Sequence, residues 1–345
     1  MTKKIVALAG DGIGPEIMEA GLEVLASIAK KTDFDIEIVK QPFGGAGIDA
    51  EGHPLPEATL KASREADAIL LAAIGSPQYD DALVRPEQGL LALRKELNLY
   101  ANIRPVKTFE SLNHLSPLKP DRIAGVDFVV VRELTGGIYF GDHILEERKA
   151  RDINDYSYEE VERIVRKAFE IARSRRKILT SIDKQNVLAT SKLWRRVADE
   201  VAQDFPDVTL EHQLVDSAAM LMITNPAKFD VIVTENLFGD ILSDESSVLS
   251  GTLGVMPSAS HSENGPSLYE PIHGSAPDIA GLGIANPISM ILSVAMMLRD
   301  SFGRYEDAKR IEDAVEQTLA AGILTRDLGG QASTKEMTEA IIERL

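Results

Sequence analysis

The stretch KKIVALAGDGIGPE, residues 3 to 16, admits two readings, and the choice between them decides the fold. An apolar run leads into a glycine-rich turn and then into a helical pattern, as in a dinucleotide-binding fingerprint. That fingerprint requires G-x-G-x-x-G and an acidic residue about 20 positions on for the ribose. Gly10 and Gly12 fit, but Pro15 stands where the third glycine belongs, and the next strand candidate, DIEIVK, ends in Lys40. A turn explains every residue instead. Gly12 and Gly14 bend the chain, Pro15 takes the first helical position, and Glu16 complements the helix dipole. Any dinucleotide site has to be sought elsewhere in the chain.

Further along, short apolar segments alternate with amphipathic helical patterns. AILLAAI, VDFVVV, KILTSI, VTLEHQLV and FDVIVT join KKIVALA and DIEIVK as strand candidates, with helices such as EEVERIVRKAFEIARSRR and KLWRRVADEVAQ between them. The alternation predicts an α/β fold with a mostly parallel central sheet. Ligands of such sheets sit beyond the carboxyl ends of strands, so residues just after the apolar runs are the candidates for chemistry. Residues 251 to 287, rich in glycine, proline and serine, show no convincing strand or helix and read as a long loop, either functional or disordered.

The 345 residues suit two domains of about 150 residues each, though one long α/β domain is also compatible. A formal charge of −17 argues against broad contact with nucleic acid or anionic membranes. The chain has no cysteine, which rules out disulfides, thiolate metal sites and cysteine nucleophiles. ISMILSVAMML falls short of the roughly 20 residues that span a bilayer, and the N-terminal apolar run is too brief for a secretory signal. A soluble cytoplasmic protein is expected.

In FDVIVTENLFGDILSDESS, Asp240 and Asp244 share one helix face at i, i+4 spacing. Their mutual repulsion is relieved either by solvent, on an ordinary acidic face, or by a hard cation such as Mg²⁺ or Mn²⁺. Asp216 opens the helical DSAAMLMI, where an N-cap is the simple explanation. Lys184 follows the strand candidate KILTSI and could act as a general base, although surface lysines are far commoner there. Arg94, Arg104 and Arg132 offer forks suited to carboxylates, or plain surface charge. In YEPIHGSAPDIAG, Gly274 and Gly281 permit close backbone approach, His273 and Ser275 offer polar contacts, and Asp278 could accept from two ribose hydroxyls. A turn-rich loop would look similar.

As an ordered set, GDGIGPEI, YANIRP, RELTGGIYFG, DKQNVL, ENLFGDILSDE, HGSAPDIAG and GIANP resemble the β-decarboxylating dehydrogenases, the family of isocitrate and isopropylmalate dehydrogenases, over nearly the whole chain. RELTGGIYFG marks the isopropylmalate branch, since isocitrate and homoisocitrate enzymes carry a more acidic stretch there. Two departures, Ser217 where asparagine is common and Leu282 where lysine is frequent, touch no position expected to do chemistry.

The resemblance implies a non-Rossmann two-domain fold. Residues 1–99 and 252–345 would form the first, cofactor-side domain, and residues 100–251 the second, with the metal carboxylates and the interface of a homodimer. In this family each active site lies between domains and borrows residues from the partner subunit. NAD would be held by His273, Gly274, Ser275, Ala276, Pro277, Asp278 and Asn286, with Asp278 repelling the 2′-phosphate of NADP. Arg94, Arg104 and Arg132 would clamp the malate carboxylates. Asp240 and Asp244, with Asp216 from the other chain, would hold Mg²⁺ or Mn²⁺ against the substrate. Lys184 from the partner would take the hydroxyl proton as hydride leaves, and Tyr139 would protonate the carbon after CO₂ departs. Glu87, Leu90 and Leu91 would line the substrate's side-chain pocket, where leucines favour an isopropyl group and penalise a third carboxylate. A D-malate or tartrate dehydrogenase of the same family is the nearest alternative. A Mg²⁺-dependent phosphohydrolase and a catalytically silent nucleotide-binding protein are more distant ones.

Overall fold

A computed structural model describes residues 2–345 and contains twelve strands. In chain order they are β1 (Lys3–Gly10), β2 (Ile36–Gln41), β3 (Ala68–Ala73), β4 (Leu99–Lys107), β5 (Asp127–Glu133) and β6 (His143–Leu145), followed by β7 (Ala150–Asp152), β8 (Ile178–Asp183), β9 (Thr209–Leu214), β10 (Val231–Thr234), β11 (Pro257–Ser262) and β12 (Ser267–Pro271). The chain divides into two compact units, Met1–Leu99 with Thr252–Leu345, and Tyr100–Gly251.

In the first unit the strand order is β2-β1-β3-β12-β11. All neighbours are parallel except the antiparallel pair β11 and β12. Every residue of β3, AILLAA, is buried, the continuous apolar pattern of a parallel strand covered on both faces. The helix Ile288–Asp300 packs against β11, β12 and the helices Gly14–Lys31 and Tyr305–Ala320, and its residues 288 to 298 are all buried. ISMILSVAMML is therefore a core helix, apolar all round because protein surrounds it. Among the described residues no helix is long and apolar enough to cross a membrane.

In the second unit the order is β4-β5-β10-β8-β9, with β4 antiparallel to β5 and the remaining neighbours parallel. The helix Tyr158–Arg173 begins with a capping box. Ser157 Oγ accepts from the Glu160 N–H at 3.2 Å, and the Glu160 carboxylate accepts from the Ser157 N–H at 2.8 Å. Its buried face, Val161, Ile164, Val165, Ala168 and Phe169, lies on β5, β8 and β10. The strands β6 and β7 pair as a separate antiparallel hairpin.

All seven strand candidates form strands, which makes the fold α/β with mostly parallel sheet. Three local expectations change. Residues 251 to 287 contain β11 and β12, because Ser258 and Ser260 are buried on a strand whose small side chains leave no apolar signal. Gly14 belongs to the first helix, with Pro15 in its second position, while the positive φ angles fall on Gly10 and Gly12. Asp216 does not cap its helix; Leu214 is the N-cap, and the carboxylate is drawn to a lysine instead.

Candidate active site

The carboxyl ends of β5, β8 and β10 in the second unit present most of the candidate residues. Arg132 is next to last on β5, Lys184 directly follows β8, and β10 feeds into the helix Asn236–Ser250 that carries Asp240 and Asp244. Glu235 caps this helix, its Oε1 accepting from the Phe238 N–H at 3.0 Å.

Each aspartate on the helix meets an arginine from a neighbouring strand. Arg132 donates from Nη1 to Asp240 Oδ1. Arg104, on β4, donates from Nη1 to Ser243 Oγ at 2.7 Å and to Asp244 Oδ1 at 3.2 Å, while its Nε is held by Asn102 Oδ1 at 2.8 Å. The repulsion expected from an i, i+4 acidic pair is thus offset by guanidinium groups. Gly239 makes room for the first contact, since a Cβ there would stand 2.6 Å from Arg132 Cγ. Arg132 is only 5% exposed.

Tyr139 lies beside this pair. Its hydroxyl donates to Asp240 Oδ2 at 2.8 Å, and the Arg132 guanidinium lies 5.7 Å from its ring centre. Burial, then the hydrogen bond and charge of Asp240, push the Tyr139 phenol above its ordinary value, which keeps it protonated. Arg104, Arg132, Tyr139, Asp240 and Asp244 therefore form one connected group.

Lys184 and Asp216 form a second group, with Nζ donating to Oδ1 at 2.7 Å. The lysine holds the exposed Asp216 carboxyl below the usual carboxylate range. Among the described residues no three acidic or histidine side chains gather around a common point, so a single chain does not bring Asp216 to Asp240 and Asp244.

In the first unit, Glu87, Leu90, Leu91 and Arg94 lie on the helix Pro86–Glu96. Leu91 is 51% exposed, Leu90 leans on the core beside Leu93, and Arg94 donates from Nη2 to the buried Glu270 at 3.0 Å. Glu87 is exposed.

The loop after β12 also belongs to the first unit. Ser275 is buried, whereas Gly274, Ala276, Pro277 and Asp278 are exposed, and a Cβ added at Gly274 or Gly281 would meet nothing within 4 Å. His273 uses Nδ1 on the Gly274 carbonyl at 2.9 Å; its Nε2 is buried without a partner, and burial lowers the imidazole's basicity. Asn286 donates to Asp327 at 2.9 Å and accepts from the Ile288 N–H at 3.0 Å. An open backbone surface, an exposed carboxylate and an unused ring nitrogen suit a ribose and its attached base.

The opening glycine turn touches this loop at both ends. The Ile13 N–H donates to the Ser275 carbonyl at 2.8 Å, and Glu16 Oε2 accepts from the Gly283 N–H at 3.1 Å. Gly12 has φ +57°, and a Cβ there would collide with the Ser275 carbonyl oxygen. Asp11 accepts from the N–H groups of Gly45 and Gly75 at 2.8 and 3.0 Å. AGDGIGPE therefore braces the loop through the Ile13 backbone amide and the Glu16 carboxylate.

No role for Glu270, Asn236 or Glu133 could be read from the sequence, and Glu16 was assigned only to the helix dipole. Glu270 and Asn236 lie inside quoted motifs. Their partners, however, are 176 and 104 positions away, so only the folded chain shows the contacts.

Residues 4–341 match the family model described as isocitrate/isopropylmalate dehydrogenase. The chain is 87% identical to a curated 3-isopropylmalate dehydrogenase of Streptococcus pneumoniae (strain ATCC BAA-255 / R6), over the full length of both. It is 37% identical to the solved isocitrate dehydrogenase of Methylococcus capsulatus, with a TM-score of 0.88 and 99% of each chain covered. A β-decarboxylating dehydrogenase from Thermococcus kodakarensis in its apo form is also 37% identical, with a TM-score of 0.85, 99% of this chain and 96% of that one covered.

Proposed function

The chain belongs to the isocitrate/isopropylmalate dehydrogenase family, and from this membership we propose that it oxidatively decarboxylates (2R,3S)-3-isopropylmalate to 4-methyl-2-oxopentanoate and CO₂, reducing NAD⁺ in leucine biosynthesis. The observation that carries the reading is the helix face on which Asp240 and Asp244 each meet an arginine next to a protonated Tyr139. Carboxylates, guanidinium forks and a phenol are the groups that a hydroxy-diacid and a hard cation require.

Arg94, Arg104 and Arg132 hold the substrate's carboxylates, exchanging protein carboxylates for those of the ligand. Leu90 and Leu91 receive the isopropyl group, with Glu87 beside them on the same helix. Asp240 and Asp244, with Asp216 of the partner subunit, fit Mg²⁺ or Mn²⁺, which when bound supplies Lewis-acid polarisation of the substrate oxygens. Lys184 of the partner subunit accepts the hydroxyl proton as hydride leaves the substrate. Tyr139 returns a proton to the carbon from which CO₂ departs.

NAD⁺ supplies the hydride acceptor, and residues His273 to Asp278 with Asn286 hold it. Asp278 accepts from the ribose hydroxyls and disfavours a 2′-phosphate, so NAD is preferred to NADP. A homodimer accounts for the exposed apolar side chains on the β6–β7 hairpin, where Leu145 is 88% exposed, and for Met220 and Ile241 on their helices. A cytoplasmic location belongs to the same reading.

The test is NADH formation by the purified enzyme with 3-isopropylmalate and with D-malate, each with and without a chelator. The expected result is a higher kcat/KM for 3-isopropylmalate and loss of both activities on chelation. A higher kcat/KM for D-malate would overturn the substrate.

A further inference from the structure

Asn236 opens the helix that carries Asp240, is 1% exposed, and has no part in the reaction as described so far. Its side-chain amide engages two partners, and each leads to a residue the reaction uses. Oδ1 accepts from Arg132 Nε at 3.0 Å and from Arg132 Nη2 at 2.7 Å. Nδ2 donates to the Gly136 carbonyl at 3.0 Å, three residues before Tyr139 and at the N-cap of the short turn Gly137–Tyr139. The backbone N–H of Asn236 donates to the Tyr156 hydroxyl at 3.0 Å, and the Tyr156 ring packs edge-on to Trp194. The amide is thus fixed from behind and faces the two groups in front of it.

We propose that Asn236 is a positioning residue whose single amide sets both the Arg132 guanidinium and the turn that presents Tyr139. The inference rests on the substrate and proton roles given above for these two residues. With Nε and Nη2 turned to Asn236, the Nη1 side of the guanidinium faces Asp240. The amide meets both requirements from separate atoms, with Oδ1 as acceptor toward a cation and Nδ2 as donor toward a carbonyl. Aspartate keeps the acceptor but sets a carboxylate oxygen against the Gly136 carbonyl. Alanine loses both bonds.

The experiment compares Asn236→Asp and Asn236→Ala with the wild type in the full-length protein. Steady-state and stopped-flow NADH formation with 3-isopropylmalate, NAD⁺ and Mg²⁺ is measured alongside hydrogen exchange of the unliganded protein. Asn236→Ala is expected to raise KM for 3-isopropylmalate and lower kcat, each by about 10- to 100-fold, the usual cost of a small misplacement at a reacting centre. Asn236→Asp is expected to leave KM within about threefold and lower kcat by a similar 10- to 100-fold. A burst of NADH should then appear, because the slowed proton delivery follows hydride transfer.

Amide exchange over residues 136–140 should rise in both variants. Unchanged exchange there overturns the proposal whatever the substrate. Equal shifts of KM and kcat in the two variants, without a burst, reduce Asn236 to a structural residue and overturn it as well. If alanine fails to fold, aspartate against wild type decides. A wild type inactive on 3-isopropylmalate overturns the substrate assignment instead, and the exchange measurement still judges Asn236.

Discussion

Arg132 and Asp278 mark two ways of building a site. Arg132 lies buried in the second unit, with Nε and Nη2 on Asn236 and Nη1 on Asp240. Asp278 stands exposed in the first unit, in the short turn Pro277–Ile279, which follows Ala276 at φ +40°. One region fixes charged side chains through other side chains; the other shapes a backbone surface and braces it from beneath through Ile13 and Glu16. Handling charge in a low-dielectric setting needs every buried donor satisfied, whereas cradling a nucleotide needs close backbone approach and small residues. The first design should fail abruptly under substitution, and the second by degrees.

The largest effect is expected at the side-chain centre. Lys184→Met should lower kcat by about 10²- to 10⁴-fold, the range for a lost general base, while NADH affinity stays close to wild type. Turnover within about tenfold of wild type would remove Lys184 from that role.

On the backbone-built side, Asp278→Lys should lower the ratio of kcat/KM for NAD to that for NADP by about 10- to 100-fold, as an acceptor for ribose hydroxyls becomes a partner for phosphate. An unchanged ratio would place the ribose elsewhere. Gly12→Ala should act on the same loop from behind. A side chain at φ +57° is expected to cost about 1–2 kcal/mol of stability for the backbone conformation alone, with the collision on the Ser275 carbonyl adding to it, and to raise KM for NAD with little change in KM for 3-isopropylmalate. Equal rises in both KM values would mean that the brace serves the whole unit rather than the loop.

The mildest effect concerns pH. Glu133 and Glu235 are both buried, and desolvation, reinforced at Glu235 by the charge of Glu133, raises their carboxyl groups above the ordinary 4.5. The folded chain keeps protons that the unfolded chain releases, so this contribution is most favourable below pH 4.5 and is lost as pH rises through the raised folded-state values. Glu235→Gln keeps an acceptor for the Phe238 N–H and should flatten the fall of melting temperature above pH 4.5. An identical slope in variant and wild type would exclude Glu235 as a source.

How legible each region was follows from what built it. β3, β5, β8 and β10 were visible because nearly all their side chains are buried on both faces, whereas the edge strands β2 and β9, only partly buried, showed through their alternating apolar residues. β4 escaped as LYANIRPVK, whose arginine and proline break an apolar run, and β11 escaped as PSASHS, whose buried serines carry no hydropathy signal. The i, i+4 spacing of Asp240 and Asp244 set them on one face in advance. Their arginine partners, drawn from β4 and β5, could not be read from spacing, because antiparallel pairing of those two strands sets Asn102, which holds Arg104, opposite Arg132. The turn at Gly12 could be read as a turn, but that it presses on Ser275, more than 260 positions later, is a product of folding alone.

The first unit draws its strands from both sides of the second: β1, β2 and β3 precede residue 100, and β11 and β12 follow residue 251. During synthesis, at about 5–20 residues per second, β3 waits roughly 10–40 seconds for β12 to leave the ribosome and cover its open edge. The helix Gly14–Lys31 waits longer still for the helix Ile288–Asp300. The middle of the gene therefore encodes a unit whose parts are all present first, while the N-terminal strands remain a nascent half-sheet in need of protection from aggregation.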